Sequence, residues 1–222
     1  MYYTGLLDEQ QARTISLLQE NMTTAITNEQ WETATNLFLQ VFEPSATGSP
    51  SLIQNYTCLS QNFDIRTCAS PAMVDFVAFV NSSAVRAKLH VGNRYFGQDG
   101  NTAELMLLND FMKSVKADLP YILSNIPAMF YNGQMDLIVA PPLTEVFLQT
   151  LNWTGIEGYM KAPKFIWKVN ESDQEIAGYV RQSTNLTQVI VRNAGHMVPF
   201  NQPRAAQDMI WRFITNSFAS AS

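Results

Sequence analysis

The chain has 222 residues, of which 46% are hydrophobic, and this is enough for one domain with a sizeable core. Its formal net charge of -5 excludes the basic surface of a nucleic-acid-binding protein, and no block of Lys or Arg indicates attachment to an anionic membrane. No apolar run approaches the roughly 20 residues that span a bilayer, so we expect no membrane span.

The first third of the chain predicts helices joined by polar connections. Residues 27–30, Thr-Asn-Glu-Gln, resemble a capping box that opens a helix. Apolar residues at helical spacing follow this box: Trp31, Ala34, Leu37, Phe38 and Val41. Pro44 should end this helix. The next residues, 44–51, are rich in Ser, Thr, Gly and Pro and predict a loop.

Two further helices are predicted before the middle of the chain. One lies around residues 73–79, from Met73, and the other around residues 103–122. Between them, residues 92–100 carry several glycines and predict turns.

After Pro127 the pattern changes to short apolar runs that alternate with helical or polar segments. Residues 128–131 predict a buried strand that ends at a turn of Asn132 and Gly133. Further strands are predicted over residues 165–169, 175–181 and 186–191, and helices over 142–151 and after Pro203. This alternation indicates an α/β architecture.

Two segments each place a titratable residue just past a predicted strand: Asp136 and His196. Ligands of open α/β sheets bind at the carboxyl ends of strands, and an acid that precedes a histidine fits the Ser, Asp, His order of α/β-hydrolases. Taken singly, an Asp after a strand is more often a turn residue, and a lone histidine is more often structural. His90 has no comparable setting and is predicted to be structural, and Met197 alone reads as a packing residue.

No spacing of His, Cys, Asp and Glu in the sequence resembles a metal site. No glycine-rich loop resembles a phosphate-binding loop either. We therefore expect no metal and no cofactor.

The sequence contains more Asn-x-Ser/Thr glycosylation sequons than the two or three, roughly, that its composition gives by chance. The six acceptors are Asn21, Asn55, Asn81, Asn152, Asn170 and Asn185. The two cysteines, Cys58 and Cys68, lie close together in a polar stretch, where a loop-closing disulfide and two free thiols fit equally well. Sequons and cysteines together favour an oxidising compartment, so we expect glycans, a Cys58–Cys68 disulfide, and a secreted or lysosomal protein whose signal peptide is missing from this chain.

The segments around Asp136 and His196 resemble two motifs of the serine carboxypeptidases. Asn132-Gly133-Gln134-x-Asp136 is similar to the acid motif of that family, and Gly195-His196-Met197-Val198-Pro199 is similar to its histidine motif. Further similarity lies in residues 5–9, 90–93, 177–182 and 201–205. The resemblance covers nearly the whole chain and points to the vitellogenic-like branch.

The resemblance implies the C-terminal part of an α/β-hydrolase fold, with a helical cap insertion within about residues 1–90 and the sheet core in about residues 91–222. It implies that Asp136 orients His196, and that His196 accepts the proton of a serine and returns it to the leaving amine. It also implies that Met197 lies beside a pocket for a peptide substrate, from which the enzyme releases the C-terminal residue.

The sequence departs from the family because it contains no Gly-x-Ser-x-Gly, so the nucleophilic serine and the oxyanion-hole amide after it are absent. We expect this chain alone to be inactive and to need the serine-bearing N-terminal portion of the same enzyme as its partner; a homo-oligomer is left open. Two alternatives are an inactive truncated relative that only binds peptides or a partner, and an acyltransferase of the same fold.

Overall fold

The computed structural model describes residues 1–2, 5–45, 47–59, 64–67, 74–97 and 102–218, without the side chains of residues 74 and 75. The chain divides into two compact units, of which the first comprises residues 1–58 and 69–113 and the second residues 59–68 and 114–222. Cys68 and Met73 lie outside the described residues, as do residue 46 of the predicted loop and residues 98–100 of the predicted turns.

The described part of the first unit is helical. Its helices are α1 (Glu9–Thr27), α2 (Trp31–Phe42), α3 (Leu52–Thr57), α4 (Val74–Asn81), α5 (Ser83–Lys88) and α6 (Thr102–Leu107). The helix α1 begins with a capping box, in which Gln11 N donates to Asp8 Oδ1 over 2.8 Å and Asp8 N donates to Gln11 Oε1 over 2.9 Å. The apolar side of α2 faces inward, because Ala34 and Val41 are buried.

The capping box predicted over residues 27–30 is wrong. Thr27 is the last residue of α1, and its hydroxyl donates to Thr23 O inside that helix. Gln30 caps α2 without a side-chain hydrogen bond, and Glu29 makes the connecting turn with a φ of 57°. The predicted end of α2 is confirmed, since the helix stops at Phe42, two residues before Pro44.

The single helix predicted over residues 103–122 is also wrong. The structure has α6, then turns, a 3₁₀ turn at Lys116–Asp118 and a new helix, α7 (Leu119–Asn125). Asp110 N bonds back to Leu107 O, which closes a turn directly after α6. Pro120 lies in the first turn of α7, where its missing N–H group costs no helical hydrogen bond.

The second unit is built on a four-stranded mixed sheet. Its strands are β1 (Ala128–Gly133), β2 (Phe165–Trp167), β3 (Gly178–Ser183) and β4 (Leu186–Val191), in the order β1-β4-β3-β2. β1 and β4 are parallel, whereas β3 runs antiparallel to both of its neighbours. The remaining helices are α8 (Pro141–Gln149), α9 (Ile156–Lys161), α10 (Val198–Asn201) and α11 (Pro203–Ile214).

Apolar side chains cover both faces of this sheet. On one face, Val189 and Val191 pack with Met209 of α11 in a cluster that includes Trp167. On the other face, Leu186 packs with Leu148 of α8 and Tyr159 of α9. Since strand residues alternate between faces, helices on both sides give the three layers of an α/β fold.

The strand predictions are right in type and differ at their ends. β4 occupies the predicted residues 186–191, while β3 starts three residues later than predicted and β2 stops two residues earlier. β1 continues through Asn132 and Gly133, which were predicted to form a turn, because Gly133 still pairs with Val191 in the parallel ladder. This extra length carries β1 to the end of β4.

Candidate active site

The parallel pairing of β1 and β4 brings their carboxyl ends to the same edge of the sheet. Both strands end at one register position, where Gly133 pairs with Val191. Asp136 follows β1 by three residues and His196 follows β4 by five. The two side chains that the sequence places after separate strands therefore lie together.

Asp136 and His196 form a hydrogen-bonded pair. His196 Nδ1 lies 2.8 Å from Asp136 Oδ2. The aspartate side chain is 3% exposed, whereas the imidazole is 39% exposed. Because a carboxylate accepts and does not donate, Nδ1 carries the proton, and the neutral imidazole has its basic lone pair on Nε2. The arrangement gives a half-exposed base held in one tautomer by a buried acid.

The second carboxylate oxygen of Asp136 is fixed by the backbone of its own loop. Asp136 Oδ1 accepts hydrogen bonds from Ile138 N over 2.9 Å and from Val139 N over 3.2 Å. Two backbone donors on one carboxylate oxygen restrict the rotation of the side chain. With Oδ1 held in this way, Oδ2 is directed at the imidazole.

The loop after β1 is bonded directly to the end of β4 and the segment that follows it. Gln134 N donates to Val191 O over 2.9 Å, and Met135 N donates to Ala194 O over 2.8 Å. The approach at Gly133 is so close that a Cβ there would lie 2.0 Å from Gly195 O. Only glycine fits at this position, so the Asn-Gly pair serves loop docking rather than a turn.

Two polar side chains near α10 hold the segment that carries His196. Gly195 N donates to Asn201 Oδ1 over 2.9 Å, and Gln202 Nε2 donates to Asn193 O over 2.9 Å. Asn201 and Gln202 lie in the segment 201–205 that resembles the family, but the sequence predicted no role for them. Their signal in the sequence is the adjacent pair of side-chain amides that follows Pro199 and Phe200, close to a turn whose backbone groups need partners.

The pKa of His196 is raised above its ordinary value. The main cause is the hydrogen bond to Asp136, which favours the protonated ring; partial burial opposes it, and the negative charge of Asp136 adds to the increase. A base that must carry a proton during a reaction is helped by this stabilisation of the imidazolium.

Met197 and His90 lie in different settings. Met197 is half-buried beside His196 and caps α10, where its carbonyl oxygen accepts from Phe200 N and Asn201 N over 3.0 Å each. His90 lies in the first unit, exposed in the turn after α5, with a φ of 57°. A role of Met197 at a substrate pocket stays a prediction.

The sites predicted for disulfide formation and glycosylation differ in exposure. Cys58 is exposed after α3, but Cys68 lies outside the described residues, so their pairing stays a prediction. Asn81 and Asn185 are half-buried and use their side-chain amides in hydrogen bonds. The exposed acceptors are Asn21, Asn55, Asn152 and Asn170.

The described residues offer neither a cluster of metal ligands nor a helix that could span a membrane. Within residues 1–2, 5–45, 47–59, 64–67, 74–97 and 102–218, no group of three or more His, Cys, Asp and Glu could hold a metal ion. None of the helices described there has the length and apolar character needed to cross a membrane.

Comparison with known proteins gives a consistent set of relatives. A family model described as "Serine carboxypeptidase" matches residues 1–216. Over 216 aligned residues the chain is 46% identical to the "Probable serine carboxypeptidase CPVL" of Dictyostelium discoideum. The aligned region covers 97% of this chain and 42% of that protein. It is 39% identical over 142 residues to the "Vitellogenic carboxypeptidase" of Aedes aegypti, over 63% of this chain and 30% of that protein. The chain therefore spans less than half the length of these relatives.

A solved structure shows the same fold. It is the crystal structure of Kex1(Δ)p, a prohormone-processing carboxypeptidase from Saccharomyces cerevisiae, which matches with a TM-score of 0.66 at 24% identity. The match covers 96% of this chain and 49% of the yeast chain. This likeness, with the mixed sheet between helices, confirms the predicted α/β-hydrolase fold.

Proposed function

Because the chain belongs to the serine carboxypeptidase family, we propose that Asp136 and His196 are the acid and the base of a triad that releases C-terminal residues from peptides. The observation that carries the proposal is the 2.8 Å bond between Asp136 Oδ2 and His196 Nδ1 at the ends of two neighbouring parallel strands. An acid and a base held in this way need only a serine on the other side of the imidazole to form a triad.

In the proposed reaction His196 Nε2 accepts the proton of the serine as its oxygen attacks the carbonyl carbon of the last peptide bond. The imidazolium that forms is stabilised by Asp136 and then gives its proton to the leaving amino acid. A water molecule, deprotonated by His196 in the same way, attacks the acyl-enzyme, and the imidazolium then returns this proton to the serine oxygen as the acid product leaves. All of these proton transfers use Nε2, the nitrogen opposite the one that Asp136 holds.

The serine and the oxyanion-hole amides are proposed to come from an N-terminal portion of the same enzyme. This proposal is supported by the absence of Gly-x-Ser-x-Gly from the sequence and by relatives of more than twice the length. The 222-residue chain alone should then be inactive, because a base without a positioned nucleophile cannot start acyl transfer. Met197, next to His196, is proposed to border the pocket for the peptide.

We also propose that the protein enters the secretory pathway and is secreted or delivered to the lysosome. The six sequons and the two nearby cysteines support this compartment. Non-reducing peptide mapping of the naturally produced protein should recover Cys58 and Cys68 in one disulfide-linked species. Two alkylated thiols in the same experiment would contradict it.

Labelling with a serine-directed phosphonate tests the proposed function. The chain is combined with the N-terminal portion of the Dictyostelium relative that it does not cover, and each component is also treated alone. We expect a label on the N-terminal component only when wild-type chain is present, and much less label with the His196→Ala chain. A His90→Asn chain, which alters the other histidine, should support labelling like wild type.

The same experiment separates the alternatives. Labelling together with hydrolysis of a peptide supports the carboxypeptidase. Labelling with product transferred to an added alcohol, and little hydrolysis, would indicate an acyltransferase. Peptide binding without any label would indicate the inactive binding protein.

A further inference from the structure

Asn132 is a buried side chain that links β1 to the loop carrying Asp136. It lies one residue before the end of β1 and is 7% exposed. Its Nδ2 donates to Val139 O over 2.9 Å, a hydrogen bond between residues seven positions apart. This bond closes the loop that contains Asp136.

Val139 forms hydrogen bonds with both Asn132 and Asp136. Its carbonyl oxygen accepts from Asn132, and its own N–H group donates to Asp136 Oδ1, as does the N–H group of Ile138. The two groups lie on adjacent peptide planes that meet at the Cα of Val139, so the bond from Asn132 to the carbonyl restricts the rotation at Val139 that would move the donors on Asp136. A loop free to rotate at Val139 would lose these donors and the direction of Oδ2.

We propose that Asn132 is a positioning residue for the Asp136–His196 pair. By holding Val139 O, it keeps the amides of Ile138 and Val139 on Asp136 Oδ1 and so keeps Oδ2 on His196 Nδ1. The catalytic meaning of this inference rests on the proposed function, but the geometry belongs to the chain itself and is testable without turnover.

The oxygen atom of the Asn132 side-chain amide affects how much this residue contributes to stability. Val139 O is an acceptor, so the atom that faces it is the nitrogen, and this fixes the orientation of the amide. Asn132 Oδ1 is then buried without a hydrogen-bond partner within the described part of the chain. A buried acceptor without a partner costs free energy, which offsets part of what the Nδ2 bond contributes. Leucine, which branches at the same Cγ, removes the unpartnered Oδ1 together with the bond to Val139, so part of its cost to the fold is offset.

Gln188 provides a matched control. It is a side-chain amide on the adjacent strand β4, is 1% exposed, and lies on the same face of the sheet as Asn132. Its Oε1 accepts from Tyr159 Oη over 2.9 Å, and its Nε2 is buried without a partner among the described residues. Gln188→Leu therefore removes a comparable buried amide that does not bond to the Asp136 loop.

The test is an NMR titration of the His196 ring in the 222-residue chain. His90→Asn in every sample removes the second histidine, so that one ring signal remains. The variants are Asp136→Asn, Asn132→Leu, Asn132→Ala and Gln188→Leu, and urea unfolding of each gives its stability. Asn132→Ala keeps the test available if the leucine variant does not fold.

We expect Asp136→Asn to lower the pKa of His196. In both Asn132 variants the titration midpoint of His196 should lie between its midpoint in Asp136→Asn and its midpoint in the wild type. Gln188→Leu should leave the midpoint at the wild-type value, even where it lowers stability as much as Asn132→Leu does. Wild-type midpoints in both Asn132 variants would overturn the proposal, and so would an equal fall in Gln188→Leu. If Asp136→Asn itself left the midpoint unchanged, the Asp136–His196 pair would fail as well, and with it the basis of the proposed function.

Discussion

At the scale of single residues, the two carboxylate oxygens of Asp136 have separate partners. Oδ1 is bound by backbone amides and Oδ2 by His196. The pairing of Asp136 with His196 was expected from the resemblance to the serine carboxypeptidases, and the sequence itself placed each of the two residues just after a predicted strand. The sequence could not predict the bond of Asn132 to Val139, because that contact depends on a loop conformation that no periodicity encodes.

The Asp136–His196 pair predicts a specific pH dependence of stability. The pKa of His196 is raised in the folded chain, chiefly by the hydrogen bond to Asp136, so the folded state binds the proton more tightly than the unfolded state. This contribution is fully present below the unfolded value of about 6.5 and is lost as pH rises through the folded pKa. The stability difference between wild type and His196→Gln should therefore be largest in weak acid and shrink towards alkaline pH.

Urea unfolding of both proteins at several values between about pH 5 and pH 9 measures this difference. The control repeats the His196→Gln substitution in an Asp136→Asn background, where most of the pH dependence should disappear. A difference that grew towards alkaline pH would have the opposite sign and would contradict the pairing.

The glycosylation sequons should not be used equally. At the half-buried Asn81 and Asn185, the Nδ2 atom that a glycan modifies donates to Phe96 O over 3.2 Å and to Leu123 O over 2.9 Å. Four other acceptors are exposed, and among them Asn55 Nδ2 makes a long contact of 3.5 Å with Pro50 O. We expect mass spectrometry of protein made in a secretory host to find glycans at some of those four and none at Asn81 or Asn185. The exposed acceptors are Asn21, Asn55, Asn152 and Asn170. A glycan at Asn185 with the fold intact would contradict the hydrogen bond of its Nδ2 to Leu123 O.

At the scale of elements, the end of β1 is joined to the segment after β4 by backbone contact. A Cβ at Gly133 would lie 2.0 Å from Gly195 O and 2.4 Å from Ala194 O, both backbone atoms that cannot rotate away. Gly133→Ala should therefore destabilise the chain by about 1–3 kcal/mol, as overpacking does.

Gly158→Ala is the matched control. The added Cβ would lie 2.9 Å from Ser183 Oγ, the end of a side chain that can rotate, and Gly158 lies within helix α9, where alanine is favoured. We expect this variant to be neutral or slightly stabilising in urea unfolding. Equal effects of the two substitutions would mean that the contact at Gly133 does not constrain the site.

Secondary-structure elements could be predicted where turn residues bound a short run of apolar or β-branched residues. The β-branched run of β4 is bounded by turn residues, and its ends match the prediction. Residues 103–122 contain enough apolar residues at helical spacing to predict one helix, but a turn after Leu107 interrupts it. An approximate helical spacing of apolar residues does not reveal such a turn. Strand order and the antiparallel direction of β3 depend on long-range pairing and could not be predicted from one sequence.

At the scale of the whole molecule, the sequence motifs were sufficient for family and fold because two motifs in the right order rarely occur together by chance. The division of the chain into units was less predictable. Helical structure of the first unit extends past residue 90, to α6, while residues 59–68 belong to the second unit. The assignment of the helical part as a cap over the site stays a prediction.

In the proposed function, His196 is oriented by Asp136 and acts as the base of a carboxypeptidase. The most direct measurement is release of C-terminal residues from a peptide by this chain combined with the N-terminal portion of its Dictyostelium relative. We predict turnover with wild type, a loss on the order of 10⁶-fold with His196→Ala, and a loss of roughly 10⁴-fold with Asp136→Asn. His90→Asn should leave turnover unchanged. Turnover close to wild type with the His196→Ala chain would show that this histidine is not the base.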